Sequence, residues 1–174
     1  MQRWAAMTAM NALALPELLR CRHRSLGARI AALEVDGRVR RVRVVQLAEE
    51  LVAHATVEQL VFYPYAEQLL GLKDLATEIE RALDALLGVV GGIDDDPQFF
   101  VSLARLSAAF QQHVEGDEAG LMPMVEALGD PDDLARMAAT MQEFERALAG
   151  SRDRPPYFWP EPAVGSSLRG GNRN

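Results

Sequence analysis

Residues 51–64 read Leu51-Val-Ala-His54-Ala-Thr-Val-Glu58-Gln-Leu-Val-Phe62-Tyr63-Pro64. Residues 110–123 repeat the pattern as Phe110-Gln-Gln-His113-Val-Glu-Gly-Asp117-Glu118-Ala-Gly-Leu121-Met122-Pro123. Counted from each histidine, a carboxylate stands at +4, a proline at +10, a glutamate (Glu67, Glu126) at +13 and a leucine (Leu69, Leu128) at +15. Residues four apart share one face of a helix. A histidine and a carboxylate so placed can reach one ion, or two adjacent ions. Imidazole with carboxylate suits iron, manganese or zinc better than calcium. Two such pairs on different helices can converge on the axis of a bundle, as in carboxylate-bridged di-metal sites.

Working outward, Val44, Leu47, Leu51, Val61 and Phe62 lie on the side of His54 and Glu58, which predicts a helix from about Val39 to Leu70. Pro64 should kink or break it. Asp94-Asp95-Asp96-Pro97 supplies a cap and a first-turn proline for a helix carrying Phe99, Leu103, Leu106, Phe110, His113 and Asp117, with Pro123 near its end. Upstream, a helix starts near Pro16 and stops near Asp36-Gly37, its stripe being Leu19, His23, Leu26, Ile30 and Leu33. Between the two repeats, a helix runs from after Gly71 to Gly91-Gly92 with Leu75, Ile79, Leu83, Leu86, Leu87 and Val90. Glu80 precedes Leu83 by three and Leu87 by seven, as His23 precedes Leu26 and Ile30, and so is the inward polar residue expected there. After Gly129-Asp130-Pro131 a shorter fifth helix reaches about Gly150.

These elements predict an all-α fold, an up-down-up-down antiparallel four-helix bundle with a short extra C-terminal helix. Residues 1–150 form the expected domain. Residues 151–174, rich in proline and glycine, form an extended or disordered tail in which Tyr157, Phe158 and Trp159 can dock on the bundle.

Composition narrows the function. The chain has 174 residues, 49% hydrophobic and 25% charged, enough for one domain with a real core. A net charge of −7 disfavours a nucleic-acid partner. One cysteine, Cys21, excludes an intrachain disulfide and a four-cysteine zinc site. No segment reads as a membrane span or a convincing secretory signal, and the expected location is cytoplasmic.

The motifs resemble those of the hemerythrin-like, or HHE cation-binding, domains. That family's pattern is a His on the first helix, His-x-x-x-Glu on the second, a His on the third and His-x-x-x-Glu on the fourth, the second and fourth typically running on to Phe/Tyr-Pro. The resemblance covers roughly Leu15 to Leu148. It implies a non-haem di-iron site, oxo- or hydroxo-bridged. His23, His54 and His113 would be nitrogen ligands, Glu58 and Asp117 the bridging carboxylates, and Glu80 would occupy the third-helix histidine position. Glu118 is the alternative to Asp117, and Tyr63 and Tyr65 are candidates for a phenolate ligand or an outer hydrogen bond.

Three histidines and three carboxylates make a harder, more anionic site than a histidine-rich one, and favour ferric iron over reversible oxygen carriage. The implied function is binding of O2, peroxide or NO, with catalase-like or oxygen- or iron-sensing activity. The alternative is a non-catalytic metal-binding regulatory or interaction module.

Overall fold

The computed structural model describes residues 14–35, 40–93 and 96–150. The tail expected over 151–174, with its Tyr157, Phe158 and Trp159, lies outside them, as do Asp36-Gly37, Arg38 and Asp94-Asp95. Every described element is helical. In chain order these are α1 (Leu15–Val35), α2 (Arg40–Val57), α3 (Tyr63–Leu70), α4 (Thr77–Gly91), α5 (Asp96–Glu115), α6 (Met122–Leu128) and α7 (Pro131–Gly150).

Pro64 and Pro123 do not break their helices. Single π-helical segments, Glu58–Phe62 and Gly116–Leu121, carry α2 into α3 and α5 into α6. Proline has no N–H, and its ring crowds the carbonyl four residues back. Widening the turn to i→i+5 relieves that clash without ending the helix. The Tyr63 N–H bonds to the Glu58 carbonyl and the Met122 N–H to the Asp117 carbonyl, each just before its proline.

α1 neighbours α2 and α5, and α4 neighbours the same two, so the four rods close a ring in sequence order. α3 ends at Gly71, whose φ of 66° and ψ of 24° are left-handed and suit glycine. α4 starts at Thr77, later than expected, because Glu67 accepts the Leu75 N–H at 3.1 Å and Thr77 donates to the Asp74 carbonyl at 2.9 Å, tying a non-helical loop. α4 and α5 approach closely at Gly88, where a Cβ would stand 3.3 Å from the Ser102 hydroxyl. The fifth helix, α7, is not short. It has 20 residues, like α5, and is capped by the Asp130 carboxylate, which accepts the N–H groups of Asp132 and Asp133 at 2.8 and 3.3 Å.

The core is in two parts. One holds Leu15, Leu19, Phe62, Ile79, Met122 and Met141, and the other Leu26, Leu47, Leu51, Leu86, Leu103 and Phe110. A polar layer divides them. On α1, His23 stands between Leu19 and Leu26; His54 and Glu58 stand between Leu51 and Phe62, and His113 and Asp117 between Phe110 and Met122. On α4 the residue packed against both parts is Leu83. Five of the six buried polar or charged residues described here belong to this layer, and Ser102 is the sixth. A layer of ionisable groups inside an apolar core is expensive unless something compensates it.

Candidate metal centre

The π turns explain how so many groups face inward. Residues five apart stand about 140° apart on an α-helix, and the wider i→i+5 turn brings them onto one face. Glu58 and Tyr63 are therefore both buried, as are Asp117 and Met122. His54 and His113, one α-turn before the carboxylates, complete the same lines.

One ligand atom from each of His23, His54, Glu58 and His113 lies within 4.8 Å of all the others. His23 Nε2 and His54 Nε2 are each 3.3 Å from Glu58 Oε1, and His113 Nε2 is 3.4 Å from Glu58 Oε2. The Nε2 atoms of His54 and His113 are 3.4 Å apart. The three imidazoles stand edge to face, with centroids 5.0, 5.1 and 5.6 Å apart, so they surround a point and do not stack.

The outer nitrogens are held as well. His23 Nδ1 lies 2.9 Å from Glu118 Oε1, and as Glu118 accepts, Nδ1 carries the proton. His113 Nδ1 is 3.4 Å from the Tyr63 hydroxyl, which donates in turn to Asp117 at 3.4–3.5 Å. Donation along this chain leaves Nε2 of both rings unprotonated and facing inward, a common arrangement for metal-ligating histidine.

Electrostatics follows from burial. Burial, and then the proximity of His23, pushes His113 down to about 3; His54 is lowered for the same reasons, with His113 as a further neighbour. Burial also lowers His23, against the Glu118 hydrogen bond that raises it. Burial raises Glu58 well above the carboxylate range and, with Glu58 close by, pushes Asp117 up to about 8. The Tyr63 hydroxyl is raised too, mainly by burial, and stays protonated. Every one of these directions disfavours charge that nothing in the layer balances.

The donor set fits a cation. With His23 Nδ1–H given to Glu118, its unprotonated Nε2 is left to converge with His54 Nε2 on one Glu58 oxygen, each at 3.3 Å. Glu58 Oε2 is buried and has no hydrogen-bond partner. A metal ion satisfies both, since it binds neutral imidazole and ionised carboxylate and balances the buried charge.

Of the residues singled out in the sequence, His23, His54, Glu58, His113 and Asp117 are brought together. Glu80 is not. It is exposed on α4, whose buried residues are Ile79, Ala82, Leu86 and Val89, while Leu87 is 51% exposed. Aligning Glu80 by Leu87 turned α4 by about one residue, or 100°. Glu118 lies outside the inner group, on His23 Nδ1. Tyr65 is outside the layer, accepting the Asp130 N–H at 3.1 Å. Glu126 pairs with Arg20 at 3.1 Å, and Cys21 lies beside Glu17 and Arg24. The Tyr63–Asp117 contact was legible only as the tyrosine of the Tyr-Pro motif, because the π turn that aims it has no sequence signal apart from the proline.

A helical bundle with a buried histidine–carboxylate layer at mid-core defines a class of cation-binding proteins. The family model described as the hemerythrin HHE cation-binding domain matches residues 14–125, and the chain belongs to that family. Comparison with curated proteins found no match, and neither did comparison with solved structures. Among the described residues, no helix is long and apolar enough to cross a membrane.

Proposed function

We propose that this chain holds iron through His23, His54, Glu58 and His113, with Asp117 beside them, and uses it to bind a small ligand of the O2, peroxide or NO class. The convergence of three buried ring nitrogens on Glu58, whose Oε2 has no hydrogen-bond partner, carries this reading. When bound, iron supplies Lewis acidity and one-electron redox chemistry. The chain's own residues do the rest. Glu118 and Tyr63 fix the ring tautomers of His23 and His113, and Asp117 holds a proton near neutral pH that it can give up on metal binding. Leu26, Phe62, Phe110 and Met122 exclude water above and below the layer. The carboxylate share of the donors favours ferric iron, and with it peroxide removal or sensing over reversible oxygen carriage. The cytoplasm is the proposed compartment, supported by the single cysteine.

Burial favours a second reading, a regulatory module that binds metal without turnover. All five central side chains are buried, and Glu118, 30% exposed, is the group that links them to the surface. Anaerobic loading with Fe(II), followed by exposure to peroxide, O2 or NO, tests the first reading. The expected result is a ligand-dependent visible absorption change lost in His54→Ala, with peroxide consumed faster than by free iron. Metal retained without either response would favour the regulatory module.

A further inference from the structure

We propose that the layer is a mononuclear site, holding one divalent transition-metal ion per chain where the family resemblance implies two. This rests on the reading that the cluster binds metal and concerns how many ions it takes. The chain has three histidines in all and one cysteine. All three histidines are in the layer, and Cys21 is beside Glu17 and Arg24 on the other side of α1. The nitrogen supply is therefore spent on a single group of atoms.

The spacing of that group suits one ion. The separations of 3.3 Å from His23 and His54 to Glu58 Oε1 and 3.4 Å between His54 and His113 match the edge of a tetrahedron, and the four ligand atoms all lie within 4.8 Å of one another. Bonds of about 2.0–2.1 Å to nitrogen and oxygen give tetrahedral edges of roughly 3.3–3.4 Å. An ion at the centre takes three nitrogens and a carboxylate oxygen, with Asp117 beside Glu58.

Among the described residues, a second ion finds no comparable donors. Glu58 Oε2, which faces His113, and Asp117 are the inner oxygens left over, and Glu118 is engaged by His23. The wall that would have to complete a second ligand set is α4. There the residue packed against both halves of the core is Leu83, and Glu80 is exposed. With three nitrogens shared between two ions, each would be left with one or two nitrogens and bridging oxygens, against the four or more ligands such ions require.

The test is metal stoichiometry on the chelator-stripped full chain. It is loaded anaerobically with Fe(II), and in parallel with Zn(II), then freed of excess metal. Elemental analysis should give about one ion per chain for each metal. The oxidised iron form should show the paramagnetic resonance of an isolated high-spin ferric ion. Two irons per chain, with that signal absent because the ions are coupled, would overturn the mononuclear site and leave metal binding intact. No retained metal would overturn metal binding itself. His113→Ala separates the models again: a single shared ion is lost outright, whereas a pair would leave one ion on His23, His54 and Glu58. A fold check by circular dichroism accompanies the variant, and the wild-type count stands without it.

Discussion

At the residue scale, the layer is organised by what sits behind each histidine. Glu118 accepts from His23 Nδ1 at 2.9 Å, which fixes the tautomer that turns Nε2 inward. It is part-exposed and outside the inner group, so Glu118→Ala should fold and still bind metal, but about 10- to 100-fold more weakly. Competition against a calibrated chelator measures this; unchanged affinity would show that Glu118 does not position His23. Four of the five central residues were legible because a +4 histidine–carboxylate spacing has few other uses at the middle of an apolar stripe, and His23 because it interrupts the stripe of Leu19, Leu26 and Ile30. Glu80 was misread because a helix with leucines on two sides gives no phase from spacing alone. Leu87 looks like core in sequence, yet it faces outward. The role of Glu118 was hidden for a different reason. Only the π turn decides which of two adjacent carboxylates, Asp117 or Glu118, faces in.

At the element scale, the two π turns are the devices that build the site. Each closes on the carbonyl of a site carboxylate, Glu58 or Asp117, and each is followed by proline at the second position of the next helix. From sequence, Pro64 is expected to kink or break its helix and Pro123 to stand near the end of its own. A π turn needs the helix to continue on the far side with its apolar face in register, and Tyr63, Ala66, Met122 and Val125 provide that. Pro123→Ala restores an N–H and removes the clash with the preceding turn. Up to about 3 kcal/mol separates proline from alanine in a helix interior, so the metal-free variant should unfold at higher temperature than wild type. The same change lets the turn relax toward α geometry and swing Asp117 and Met122 apart, so metal affinity should fall. Higher melting temperature with undiminished affinity would show that the π turn is not needed for binding.

At the scale of the whole molecule, a layer of three imidazoles and two carboxyls cuts the core in two, and the metal-free chain bears that cost by keeping the groups neutral. Asp117 is pushed up to about 8 and Glu58 upward too, while His113 sits at about 3. At pH 7 the histidines have no proton to lose and the carboxyls do. Metal binding should therefore release roughly one or two protons per chain at pH 7, with the Asp117 share falling as pH rises through 8. Calorimetric titration in buffers of different ionisation enthalpy reads this number; heat independent of buffer would contradict it.

The four-helix bundle was readable from the apolar stripes. The bounds of α7 were readable too, from Pro131 to Gly150, and its apolar residues Leu134, Met137, Ala138, Met141 and Phe144 mark one sparse stripe. The most direct test of metal binding in this layer is the melting temperature of stripped protein with and without Fe(II), beside Glu58→Gln. With iron at about 1,000 times its dissociation constant, the folded state gains about 4 kcal/mol, or roughly 8–16 °C for a chain of this size. Wild type should show that rise. Glu58→Gln, whose amide mimics the neutral carboxyl that burial favours, should melt near the metal-free wild type and gain little from iron. A wild-type melting temperature indifferent to iron, or an equal rise in Glu58→Gln, would contradict a metal site built on Glu58.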